Sequence, residues 1–142
     1  MVEVADRGYP SGRARAAVRA VRARLAAYRH VRVEQRVVPA DWPRGSTFDL
    51  VVLSEIGYYL DRPGLAALLD AATGGLAPGG DLVAVHWRRP VADYPLRGDE
   101  VHAALADRPE LSRVGRHTEP DFLLEVFTAG PARSVAEVEG LC

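Results

Sequence analysis

The polar residues most able to do chemistry in this chain stand directly after apolar runs. Ser54 and Glu55 follow Leu50-Val51-Val52-Leu53, His86 and Trp87 follow Leu82-Val83-Ala84-Val85, and Asp6 follows Val2-Glu3-Val4-Ala5. The 50–53 run is continuous and aliphatic, as suits a strand buried on both faces of a parallel sheet. Open α/β sheets bind ligands at the carboxyl ends of their strands, where these polar groups fall. Tyr58 and Tyr59 add aromatic surface with hydroxyl tips beside Glu55. An imidazole such as His86 has a reference pKa suited to proton transfer; a lone histidine at a strand end is more often a hydrogen-bonded scaffold residue. Glu55 also reads as a charge at a helix N-terminus. No pair of histidines, cysteines or carboxylates has metal-ligand spacing, so no metal is expected. No serine or cysteine sits in a nucleophile setting.

The elements that must position these residues follow from periodicity. Val2–Ala5 reads as a strand ending at Asp6, and Tyr9-Pro10-Ser11-Gly12 as a turn with Ser11 capping the next helix. That helix spans about 13–28, with Ala14, Ala17, Val18, Val21, Leu25 and Tyr28 as its apolar stripe. Arg15, Arg19 and Arg22 lie on the other side. They read as a solvated face rather than a nucleic-acid patch, because no aromatic residues interleave them. Strands are expected at 31–37 and 49–53, separated by a loop containing Pro39 and Pro43. Asp61-Arg62-Pro63 opens a second helix that buries Leu65, Leu68, Leu69 and Ala72 and ends at Gly74-Gly75. Leu76-Ala77-Pro78-Gly79-Gly80 has the proline and glycine spacing of a type II turn before a strand at 81–87. After an irregular stretch, 88–98, come a short helix at 99–107 and an antiparallel pair at 111–117 and 122–128. The tail from Gly130 is expected to be loosely held. The class is α/β, a parallel sheet with an antiparallel C-terminal hairpin, in one domain over 1–142.

The 142 residues are 48% hydrophobic with a formal net charge of −1, enough for a core and no pull toward nucleic acid or anionic membrane. No apolar run approaches the roughly 18–20 residues of a membrane span. The single cysteine, Cys142, cannot close an internal disulfide, which makes a reducing cytoplasm the default location.

Taken in order, three segments resemble the class I S-adenosylmethionine-dependent methyltransferases, within them the nodulation-protein-S-like N-methyltransferases. They are Val2–Asp6, Phe48–Leu60 and Leu76–Trp87; Arg88–Glu100, with Asp93-Tyr94-Pro95-Leu96, is similar to the nodulation-type branch. The resemblance implies a Rossmann-like methyltransferase sheet, S-adenosylmethionine as cofactor and a small-molecule or sugar-like amine as methyl acceptor. It places Asp6, with Arg7 beside it, at the ribose hydroxyls, where the alternative is an ordinary cap or turn residue. It puts Val37 and Val38 at the adenine-side turn, where many members carry a carboxylate. Ser54 and Glu55 would face cofactor and acceptor, with Glu55 orienting or deprotonating the amine and His86 as the second catalytic candidate. Tyr58, Tyr59, Trp87 and Tyr94 would line the acceptor pocket, although Tyr58 and Tyr59 read equally as packing for the following helix, and one of each is expected.

The family's glycine-rich loop and its preceding first strand have no counterpart here: the resemblance starts at the second strand of that fold. The missing first strand would leave two open edges. A fragment or misplaced start, direct pairing of 2–5 with 49–53, or a second chain filling the gap would each account for this. The expectation is an N-terminally truncated domain that binds S-adenosylmethionine weakly or not at all. Two other functions stand beside it: a non-catalytic remnant acting as an interaction module, and another nucleotide-binding α/β protein such as a dehydrogenase.

Overall fold

A computed structural model describes residues 4–6 and 12–141, with side chains from residue 16 onward. Arg7, the turn at 9–11 with its Ser11 cap, and Cys142 lie outside the described residues, as do the side chains of Asp6, Ala14 and Arg15. The chain forms two compact units, Met1–Pro43 and Arg44–Cys142.

The first unit holds strand β1 (Val4–Asp6), helix α1 (Gly12–Leu25) and strand β2 (Gln35–Val37). β1 and β2 pair in parallel, with Asp6 in register with Val37, so both carboxyl ends fall at one edge. β2 is shorter than the valine alternation from Val31 predicts. The apolar stripe of α1 is also narrower: Val18 is buried and Val21 and Leu25 half-buried, while Ala17 and Tyr28 are exposed. Arg22 Nε donates to the Val33 carbonyl at 3.0 Å, fixing the segment ahead of β2 against the helix.

The second unit contains β3 (Phe48–Ser54), α2 (Arg62–Gly74), β4 (Leu76–Trp87), α3 (Gly98–Ala106), β5 (Leu111–Thr118), β6 (Phe122–Ala129) and a short α4 (Val135–Val138) within the expected loose tail. Its sheet order is β3-β4-β6-β5, with β3 parallel to β4 and the β5–β6 hairpin antiparallel. α2 starts where the sequence places it: the Asp61 carboxylate caps the Gly64 N–H at 2.8 Å, and Leu65, Leu68, Leu69 and Ala72 are buried. β4 begins earlier than expected, at Leu76, because the glycine turn bulges out of the strand. Phe48 pairs with Leu76 and Leu50 with Asp81, so two steps on β3 face five on β4. Gly79 supplies the left-handed position of that turn, φ +75.

One face of the sheet forms the core. Val51 and Leu53, Leu82 and Ala84, and Leu123 and Phe127 point inward, with α3 against β4, β5, β6 and α2 against β4. The reading of β3 as buried on both faces is corrected here. Leu50 and Val52, on its other face, are 56% and 55% exposed. Only the alternate residues Val51 and Leu53 are buried, and β3 lies at the edge of its sheet. Of the expected pairing of 2–5 with 49–53, the described residues 4 and 5 pair instead with β2, while β3 pairs with β4; residues 2 and 3 lie outside the described residues. No helix is long and apolar enough to cross a membrane among the described residues.

Candidate active site

At the end of β3 the chain makes an abrupt turn. Glu55 still donates its N–H to the Val85 carbonyl at 2.9 Å, but its φ is +56, a left-handed conformation for a residue with a side chain. Holding a non-glycine residue there costs on the order of 1–3 kcal/mol, and such residues gather at functional sites. The carboxylate is fixed from two sides: Oε1 accepts the Trp87 N–H at 2.7 Å, and Oε2 accepts the Tyr58 hydroxyl. The turn thus ties the ends of the two parallel strands together.

A 3-10 turn, Gly57–Tyr59, follows. Tyr58 is buried, and its ring stacks on Tyr94 with centroids 5.0 Å apart. Tyr59 meets both rings edge-on, at 4.7 and 4.6 Å, and its hydroxyl lies 3.2 Å from that of Tyr94. Burial, then the bond to Glu55, pushes the Tyr58 hydroxyl far above the usual phenol range, so it stays a donor. Leu96 N–H donates to the Tyr58 carbonyl at 3.3 Å, fastening the irregular 88–98 stretch to the turn. Ser54 is exposed and Trp87 is 42% exposed at the same strand ends. The structure therefore gathers Glu55, Tyr58, Tyr59, Trp87 and Tyr94, five residues drawn from two segments 32 positions apart.

His86 points the other way. Its ring is fully buried, and both nitrogens are engaged within the protein: Nε2 accepts the Gly57 N–H at 3.2 Å, and Nδ1 lies 3.2 Å from His102 Nε2. Burial, then the neighbouring His102, lowers its pKa to about 3. Of its two readings, this is the scaffold one. Beyond it, His102 Nδ1 is 2.8 Å from Glu125 Oε2, and Arg113 reaches Glu125 Oε1 at 2.8 Å, with Arg116 at 3.5 Å. Burial also lowers the pKa of His102, against the opposing pull of Glu125. His102, Glu125, Arg113 and Arg116 were absent from the sequence-derived site.

In the first unit, Asp6 and Val37 are neighbours in register. Val37 N–H donates to Asp41 Oδ2 at 3.1 Å, and Val37 O accepts the Asp41 N–H at 2.8 Å. Asp41 thus brings an exposed carboxylate to the turn where the sequence offers only Val37 and the buried Val38. Among the described residues no group of three or more His, Cys, Asp or Glu could hold a metal.

No family model and no curated protein matches the chain. Solved structures do. A Pseudomonas syringae protein designated a methyltransferase is 41% identical, with TM-score 0.70, over 90% of this chain and 72% of its own. The N-methyltransferase NodS of Bradyrhizobium japonicum, solved with S-adenosyl-L-homocysteine, is 25% identical, TM-score 0.70, over 91% of this chain and 66% of its own. The 1,6-didemethyltoxoflavin-N1-methyltransferase of Burkholderia thailandensis, 14% identical with TM-score 0.62, shares the fold. The chain belongs to the class I S-adenosylmethionine-dependent methyltransferases.

Proposed function

We propose that the chain methylates the nitrogen of a small or sugar-like amine, with Glu55 as the acceptor-side carboxylate. The observation that carries this reading is the double anchoring of Glu55 in a left-handed turn beside three tyrosines. S-adenosylmethionine, when bound, would supply an electrophilic methyl carbon, its methyl–sulfur bond breaking to leave S-adenosylhomocysteine as the new bond forms. An amine attacks that carbon only when neutral, and it sheds a proton as the nitrogen–carbon bond forms. Glu55 would accept a hydrogen bond from the amine and receive that proton, while its two anchors hold it in one orientation. Tyr59, Tyr94 and Trp87 offer aromatic faces to the carbon skeleton of the acceptor. Orientation of the nucleophile is the larger contribution, and base assistance adds about 10²–10⁴.

The first unit also offers candidates for the nucleoside. The Asp6 position lies beside Val37, and the exposed Asp41 carboxylate stands on the Val37 N–H. Within the first unit, Asp6 would hold the ribose hydroxyls and Asp41 the adenine amino group, with Val38 at the ring; Ser54, in the second unit, keeps the cofactor role that the resemblance implies for it. Arg7 keeps its place beside Asp6 in the proposal. His86 has no proton-transfer role in it. The lone cysteine fits a cytoplasmic setting.

Glu55→Gln tests the reading. With radiolabelled S-adenosylmethionine and a panel of primary amines, methyl transfer should fall about a hundredfold, while S-adenosylhomocysteine binding by calorimetry stays unchanged. An unchanged rate would remove Glu55 from the chemistry. Wild-type chain that binds S-adenosylhomocysteine yet transfers methyl to none of the amines would defeat the acceptor assignment.

A further inference from the structure

The buried imidazoles pose a question of direction. A neutral histidine has one N–H and one bare nitrogen, so each ring in a chain must donate one way and accept the other. The Gly57 N–H is a fixed donor, which requires a bare Nε2 on His86. His86 then carries its proton on Nδ1 and donates to His102 Nε2. His102 in turn carries its proton on Nδ1 and donates to the Glu125 carboxylate. Every link runs the same way and no donor faces a donor.

We propose that Glu125, held against Arg113 and Arg116, sets this direction and thereby positions the Gly57 turn that carries Glu55 and Tyr58. His102, Glu125 and the two arginines are positioning residues for methyl transfer. Only that catalytic consequence rests on the reading of Glu55 above.

Several features of the fold serve this one chain. Glu125 is 2% exposed at the centre of β6, opposite the small Ala84. A carboxylate so placed needs partners with fixed geometry. Strict alternation would send Arg113 and Arg116 to opposite faces of β5. The bulge at Val114 resets the register, so Arg113 lies opposite Phe127 and Arg116 opposite Glu125 on one face. Both guanidinium groups then reach Oε1, leaving Oε2 for His102. At the other end, Gly57 has no room for a side chain, because an added Cβ would lie 2.6 Å from a Val101 methyl and 3.3 Å from His86 Nε2. Tyr58, edge-on to His86 at 5.4 Å, closes the shell, and Asp99 is the other charged group acting on His102.

The substitution Glu125→Gln separates direction from mere packing. The amide it introduces would turn its carbonyl to the arginines and its N–H toward His102 Nδ1. Both rings must then move their protons to Nε2, and the Gly57 N–H would face another N–H. Long-range proton–nitrogen correlation spectra of the labelled full chain distinguish bare from protonated ring nitrogens. Wild type should show both rings neutral with the proton on Nδ1. The variant should show both on Nε2, with Gly57 amide exchange faster by about tenfold. Wild type with an Nε2 proton on either ring overturns the proposal, as does a folded variant with unchanged tautomers. If the variant fails to fold, the wild-type spectrum still decides the direction. The signals need no ligand, and Glu55→Gln should leave them in place, so failure of the methyl-transfer reading is distinguishable.

Discussion

Lowering the pH below the ordinary histidine range protonates imidazoles in the unfolded chain that the fold keeps neutral. For His86 the unfolded value is 6.5 and the folded value about 3. The folded state therefore binds fewer protons between those limits, and unfolding stability rises with pH across that window. The stabilisation is complete above 6.5 and is lost progressively as pH falls toward the folded value. Each pH unit below the unfolded value removes about 1.4 kcal/mol, so going from about pH 7.5 to about pH 5 costs about 2 kcal/mol through His86 alone. His102 is shifted the same way and adds to the loss. The groups around the pair act on it from every side. Tyr58 comes from the 3-10 turn, Asp99 from the start of α3, Glu125 from β6, and Arg113 and Arg116 from β5. Other groups also titrate in acid, so the informative quantity is a difference between two proteins. His86→Gln can still accept the Gly57 N–H but has nothing to titrate. Urea unfolding of both proteins at the two pH values should give the wild type the steeper loss, by about 2 kcal/mol. Equal losses in the two proteins would refute the claim that His86 is held neutral by its site.

Three other substitutions test the packing around the site. At Gly57 an added methyl meets the movable side chain of Val101, whereas at Gly98 it falls on the Trp87 carbonyl oxygen, which belongs to the β4 backbone. Gly57→Ala should lose about 1–3 kcal/mol in denaturant unfolding, and Gly98→Ala should lose more or fail to fold; the reverse ranking would contradict the geometry. Asp61→Ala removes the cap at the start of α2. It should cost about 1 kcal/mol in thermal or urea unfolding and leave the histidine signals untouched.

The legible parts of the fold were those set by local pattern. α2 announced itself through Asp61, Pro63 and the leucine spacing, and the β5–β6 hairpin through its paired extended runs. β3 was legible as a strand but not in its burial. A continuous aliphatic run cannot say whether both faces are covered, and in the folded chain only Val51 and Leu53 are. The left-handed position expected of a glycine in the Ala77–Gly80 turn is present at Gly79, yet the turn interrupts a longer strand, because pairing of Leu76 with Phe48 is a long-range event. At the candidate site, Glu55, Tyr58, Tyr59 and Trp87 were singled out because they stand at or just after two strand ends, and Tyr94 came from the segment that carries the resemblance; Tyr94 stacks on Tyr58 in the folded chain. His102 and Glu125 were missed although a local signal existed. Glu125 shares its parity with Leu123 and Phe127, and His102 stands between Val101 and Leu105 on the inner face of α3. A charged residue on an inward parity implies a buried partner, and the histidine was the one available.

That signal also orders the site energetically. The left-handed turn at Glu55 is unfavourable by itself and persists only if its surroundings leave it no alternative. On the outer side, the Trp87 N–H and the Tyr58 hydroxyl fix the carboxylate; on the inner side, the His86 ring fixes Gly57 two residues later. Releasing either side gives the turn somewhere to relax. The outer contacts are partly open to water and can be exchanged for it, whereas a bare donor at Gly57 in the core has no water to replace His86. The buried side is therefore the stronger constraint, and a change at Glu125, three hydrogen bonds away from the turn, should disturb Glu55 more than loss of the Tyr58 hydroxyl does.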